Sequence, residues 1–559
     1  SGSSKVINTG AADAVVATSN PGHALALTSG GLDIDTTGGR GLEASGGGSI
    51  SVQGTGNTIT TTTGTPLNIT NVTITPNVTF QSISANGATQ GIVLSGVGSA
   101  GSMSVTGTGP SGSGGTIQNI ANRGASFINA RNITLSDMNF TNANQNDGAT
   151  PDGLPGSNGD ENGAVHLDAA VNVALTDIAI TTTAQHGING VGVRNLDLTN
   201  VTINDAGNET PAANGNLESG VYLTNLTGLA SASQDNVFSN LNVSNTGSFN
   251  VYVANGTPTS AGGEKDKLTM TGGTFNTAGQ NVLSDNVTVD NFNSANFQTV
   301  VTNSSFTAGT TCGGGTSTCS PDNIQVNGNN TSKFDVSISG STFTQAGQSA
   351  INVSGSGSAV GSFSIANNPN LTVRAAQGIN IASNGSSDLS GTIAGNTIST
   401  NVNNNPGVGI DMVVDAAGGS IVANVSNNTI AGSGANIFEY GIRGGARNGN
   451  GTADITLNNN TVQAADGAGV WIFAGNNTGQ GSDTCVNFVS NQIDGNGANA
   501  FTDYFLDNYA GSTFSVQGFA SGTIQDYVAS TDDDPSPNDP TVTINSSSSP
   551  FTNATCATP

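Results

Sequence analysis

Apolar and polar residues alternate over short runs along nearly the whole chain, and each run stops at Asn, Asp or Gly. The stretch "VRNLDLTNVTINDAG" at 193–207 places Leu196, Leu198, Val201 and Ile203 on this beat, with one Asn interrupting it. Alternation with a period of two marks a β-strand that buries one face. Close variants recur upstream as "VNVALTDIAITTTAQ" and "RNITLSDMNFTNA", and downstream as "SGTIAGNTIST", "ANVSNNTIAGS", "ITLNNNTVQA" and "VNFVSNQIDGNG".

Two landmarks give the repeat its length. An apolar residue after an Asn-containing turn falls at Ile398, Ile430, Val462 and Ile493, in steps of 32, 32 and 31 residues. A small residue followed by an apolar one falls at Gly378, Gly409, Gly441 and Gly469, in steps of 31, 32 and 28. The second series extends backward through "AINVS" at Ala350, "GVYLT" at Gly220, "GINGV" at Gly187, "GIVLS" at Gly91, "GLEAS" at Gly41 and "HALAL" at His23. Because the two series advance nearly in phase, each period holds at least two short strands at fixed relative positions, which is the signature of a solenoid coil. Strands of four to six residues cannot bury themselves alone, but stacked coils pair every backbone in parallel around one core. The expectation is an all-β chain, a single parallel β-helix of about 17 coils, some 75–80 Å long at roughly 4.8 Å per coil. Its body spans 1–500, and a C-terminal segment, 501–559, folds back on the last coils. Immunoglobulin-like arrays repeat at about 90 residues and propeller blades at about 40–50, so neither fits the step.

Composition narrows the partners. Eleven basic against 37 acidic residues give a formal charge of −26, which repels a phosphate backbone, so nucleic acid is not expected. No run approaches the roughly 20 apolar residues of a membrane-spanning helix. The chain opens at Ser1 without an apolar leader, as a processed chain or a fragment would. Four cysteines suggest two bridges, Cys312–Cys319 around "CGGGTSTC" and Cys485–Cys556 tying the tail to the body, hence an oxidising, extracellular setting.

The units "NLDLTNVTINDAG", "ANVSNNTIAGSG" and "VNFVSNQIDGNG" resemble those of bacterial extracellular right-handed parallel β-helix proteins: β-strand-repeat surface proteins and, more distantly, autotransporter passengers and pectate-lyase-like enzymes. The resemblance covers nearly the whole chain and marks fold more than function, because such proteins act as adhesins, as sheath or filament components and as polysaccharide-active enzymes.

The enzyme alternative, a polysaccharide lyase or hydrolase, needs acids and a base converging on one face. The acid triplet Asp532 to Asp534 sits in a proline-rich segment, and "AQHGING" with His186 lacks the downstream Arg-x-Lys of such hydrolases. No catalytic residue is assigned. A binding face is easier to place. In the small-apolar-x-apolar strand the x residue points outward, giving Tyr222, Asn352, Asn380, Asp411, Arg443 and Trp471. Of these, Tyr222, Asp411, Arg443 and Trp471 are the ligand-binding candidates, with Asp411, Arg443 and Trp471 stacked as a row that suits a sugar ring. The plainer reading is a surface ion pair covered by an aromatic. The insertion "NANQNDGATPDGLPGSNGDENG" carries Asp147, Asp152, Asp160 and Glu161, whose oxygens suit calcium although their spacing matches no defined calcium loop. No other cofactor is indicated. Taken together, the expected protein is an extracellular structural or adhesive rod at the cell surface. Its expected partner is a polysaccharide, another surface component or further copies stacked head to tail into a filament.

Overall fold

The structure is a computed structural model that describes residues 5–98, 100–143, 162–207, 218–229, 235–256, 265–276, 284–308, 322–374, 377–400, 405–415, 418–432, 438–463, 465–476, 481–494, 502–532, 541–546 and 550–559. The expected calcium residues Asp147, Asp152, Asp160 and Glu161, and the Cys312–Cys319 pair, lie outside them. The chain forms two compact units, Ser1–Ala254 with Thr259–Val282, and Asn255–Pro258 with Leu283–Pro559.

Each unit is a parallel β-helix whose coils have three strands, one more than the two landmarks required. In the first unit, sheet 1 runs from Lys5–Gly10 to Thr274–Asn276, sheet 2 from Val15–Thr18 to Val251–Asn255, and sheet 3 from Ala24–Leu27 to Asp266–Thr271. In the second, the same three faces run from Ser305–Thr307 to Gln492–Asp494, from Val287–Asn291 to Val542–Ser546, and from Asn296–Thr302 to Thr513–Val516. Sheets 1 and 3 each have 17 described strands, in line with the expected number of coils.

The landmarks are the stacks themselves. Ile398, Ile430, Val462 and Ile493 are register partners in sheet 1, and Ile379, Ile410, Ile442 and Val470 are partners in sheet 2. All eight are buried. One landmark explains the other: a Cβ on Gly378, Gly409, Gly441 or Gly469 would stand only 2.2–2.6 Å from the γ-methyl of Ile398, Ile430, Val462 or Ile493. The small residue of one coil makes room for the apolar residue of the next. "HALAL" departs from its series: Ala24–Leu27 pairs with Ser49–Val52 in sheet 3, not sheet 2. Without the sheet assignment, a small-apolar-x-apolar strand looks the same on either face.

The corner between sheets 3 and 1 explains the Asn that breaks each run. In "VRNLDLTNVTINDAG" the strand is in fact two, Arg194–Thr199 in sheet 3 and Thr202–Ala206 in sheet 1, with Asn200 between them at φ +53°. Asn tolerates this left-handed geometry better than most residues. The same corner holds Asn303, Gly340, Asn367, Gly395, Asn427, Asn459 and Ser490 in the second unit, all at positive φ.

The residue after the corner differs between the units. In the first it is apolar, as at Ile178, Val201 and Leu241, and buried. In the second it becomes a buried asparagine ladder of Asn368, Asn396, Asn428, Asn460 and Asn491. Each of the first four donates its side-chain amide to the Oδ1 of the next at 2.8–3.0 Å. Each also donates to a carbonyl of the preceding coil, as Asn428 does to Ile393 at 2.8 Å. Every polar atom of the file is thus met without water.

The C-terminal segment closes the second unit. Thr502–Asn508 and Thr513–Val516 continue the stack, Val542–Ser546 pairs in parallel with Thr502–Asn508, and Thr552 bridges to Ser515. The helix Ile524–Ala529, capped by Thr523, buries Ile524 and Val528. Cys485 and Cys556 form the expected disulfide, with Cα atoms 5.4 Å apart. Among the described residues no helix is long and apolar enough to cross a membrane.

Candidate functional site

Sheet 2 changes character along the chain. Its first strands, such as Val15–Thr18 and Leu42–Ser45, have four residues, whereas Asn405–Val414, Phe438–Ala446 and Ala465–Ala474 have ten, nine and ten. The long strands contain register shifts between Asn405 and Val408 and between Phe438 and Tyr440. Such bulges bend a strand and re-aim its side chains.

On this broadened face the expected row is present. Asn352, Asn380, Asp411, Arg443 and Trp471 are successive register partners, one coil apart. Arg443 grips Asp411 with two bonds, Nε to Oδ1 at 2.9 Å and a second terminal nitrogen to Oδ2 at 2.6 Å. Its guanidinium carbon lies 5.7 Å from the centre of the Trp471 ring. Asp411 is only 2% exposed, far deeper than an outward position on an open sheet suggests. Burial works against charge on Arg443, but the bonds to Asp411 and its charge outweigh that effect and hold the guanidinium above its ordinary range.

Tyr440 packs against Trp471 with ring centres 4.7 Å apart, and Phe505 lies 6.0 Å away in the next coil. Burial, then the neighbouring Glu439, pushes the Tyr440 hydroxyl up to about 12, so it stays protonated. The indole N–H of Trp471 and Oδ1 of Asp466 are buried atoms without a hydrogen-bond partner among the described residues. Trp471 and Asp466 are themselves half-buried. Toward the other end, Gln377 approaches Asp411 at 3.5 Å, and Asn380 donates to Asn352, which donates to Asp322. Residue spacing missed Tyr440, Glu439, Asp466 and Phe505. The signal was faint: Glu439 and Tyr440 immediately precede the Gly441 landmark, and Asp466 falls three residues before that at Gly469.

Tyr222, the remaining candidate, belongs to the first unit and to a different file, Asn189, Tyr222, Tyr252. Its ring stacks between His186 at 4.7 Å and Tyr252 at 5.3 Å. His186 is buried and its Nδ1 accepts the Ser219 N–H at 2.8 Å, so this histidine is a packed element of the sheet. Nearby His166 is pushed down to about 3 by burial and then by the Arg123 charge, and is therefore neutral.

Two acids at the start of the second unit form a further cluster. Asp285 Oδ1 accepts the Asp322 N–H at 2.8 Å, and Asp322 accepts from the Ser349 N–H and from Asn352 at 2.8 Å. Burial raises Asp322 to about 6. Burial and then the Asp322 charge raise Asp285 to about 7.

The fold and this face together define a parallel β-helix with a polar and aromatic platform on one sheet. No family model matches the chain, and no curated protein matches it. Among solved structures it is similar to PfbA, a surface adhesin of Streptococcus pneumoniae, at 12% identity over 75% of this chain and 85% of that one, with a TM-score of 0.33. The fold assignment rests on the strand pairing above and not on that likeness.

Proposed function

We propose that this chain is an extracellular adhesive protein that holds a carbohydrate on the outer face of sheet 2 in its second unit. The observation that supports this reading is the row Asp411, Arg443, Trp471 on the longest strands of the sheet. The aromatic body of Trp471 suits the apolar face of a sugar ring, and flanking amides and carboxylates suit its hydroxyls. An oxidising location agrees with the Cys485–Cys556 bridge. Holding suits the arrangement better than turnover, because Arg443, the one cation of the row, is committed to Asp411.

The test is binding of the intact chain to a glycan array and to cell-wall polysaccharide, compared with Trp471→Ala and Tyr440→Ala. Retention by the wild type and at least a tenfold loss in Trp471→Ala are expected. Equal retention by wild type and both variants would overturn the assignment of this face. Head-to-tail assembly is a separate element of the proposal, read out by negative-stain electron microscopy at neutral pH, where filaments support it and isolated particles refute it.

A further inference from the structure

We infer that the ligand of this face is a neutral, hydroxyl-rich glycan and that uronate-bearing or otherwise anionic polysaccharides are rejected. The inference rests on the carbohydrate-binding reading and adds the ligand class. It follows from charge placement. The only cation of the row, Arg443, donates two hydrogen bonds to Asp411, which cancels its charge locally. Beside them stand Glu439, adjacent to Tyr440, and Asp466 on the next strand, and neither has an ion-pair partner among the described residues. Gly467 marks how closely these strands approach: a Cβ there would lie 3.4 Å from the Glu439 side chain and 3.0 Å from the Tyr440 ring. The platform is therefore net negative, within a chain of formal charge −26.

A carboxylate on the ligand meets the carboxylates of Glu439 and Asp466 and, among the described residues of this face, no cation beyond the Arg443 already paired with Asp411. At about 7 Å and water-like screening, each such repulsion weakens binding about threefold, so a uronate is disfavoured roughly tenfold.

The experiment is titration calorimetry of the full chain against neutral gluco-, manno- and galacto-configured oligosaccharides and against oligouronates of equal length, at low and high salt. A neutral oligosaccharide is expected to bind with little salt dependence, and uronates about tenfold more weakly at low salt. The double variant Glu439→Gln, Asp466→Asn should close most of that gap, with Glu439→Gln alone closing part of it should the double variant not fold. Uronates binding as tightly as neutral sugars would overturn the inference while leaving the carbohydrate reading intact. Binding of neither class would overturn the carbohydrate reading, and this inference with it.

Discussion

Replacing Asn428 with Ala removes one rung of the ladder inside the second unit. Asn428 is 1% exposed, and its Oδ1 accepts from both the backbone and the side-chain nitrogen of Asn396, at 3.0 and 2.9 Å. Its own amide donates to the Ile393 carbonyl at 2.8 Å and to Asn460 Oδ1 at 3.0 Å. Truncation leaves the Asn396 N–H and one Asn396 amide hydrogen unmet, while the Ile393 carbonyl stays in its strand ladder and Asn460 Oδ1 keeps the Asn428 backbone donor at 3.1 Å. At about 1–3 kcal/mol for each of these two orphaned buried groups, partly relieved by relaxation, the loss is about 2–4 kcal/mol. That is a large share of the roughly 5–15 kcal/mol that stabilises a domain. Urea unfolding followed by circular dichroism measures it. Asn427→Gly serves as control, because Asn427 is exposed and sits at φ +55°, a conformation glycine adopts freely. Asn428→Asp should fare no better than Ala, since it keeps the acceptor but puts an oxygen in place of the amide nitrogen that donates to the Ile393 carbonyl and Asn460 Oδ1. If Asn428→Ala and Asn427→Gly unfold at the same urea concentration, the ladder is not what holds these coils.

Arg443→Ala strands the buried Asp411 carboxylate and should cost about 3–5 kcal/mol. Adding Asp411→Ala should restore much of the loss, and a double-mutant cycle on the thermal midpoints checks this. The Asp285–Asp322 pair has folded-state values raised above the ordinary 3.8, so the native state binds protons more tightly than the unfolded one. Its contribution is full below about pH 4 and is lost as pH rises through 6 and 7. Thermal midpoints measured at pH 5 and pH 8 should differ less in Asp322→Asn than in the wild type. Reducing the Cys485–Cys556 bridge, which closes 71 residues, should destabilise the second unit by up to about 4 kcal/mol, read as a lower midpoint in dithiothreitol that Cys556→Ser reproduces without reductant.

How much of this was legible in the chain follows from the range of each interaction. Alternation and the 31–32 residue step identified coils because both are local: a buried strand face repeats every two residues, and a stacked coil returns to the same corner after a fixed length of chain. The same pattern put Asp411, Arg443 and Trp471 in one row, since parallel stacking converts equal sequence offsets into vertical neighbours. It could not give the third strand, because the bend at Asn200 looks in sequence like a flaw in one strand. Nor could it show that Asp411 is buried, that Tyr440 and Glu439 join Trp471 across a bulge, or that His186 packs under Tyr222.

The sequence by itself therefore determined that the chain stacks, at what period, and which residues share a file. Only the tertiary structure decided what each file meets, whether solvent, a facing charge or the carbonyl of the coil before. The reason is physical: stacking register is a property of the repeat, whereas burial and electrostatic partners depend on strand length, bulges and neighbouring coils that lie about 30 residues away in the chain.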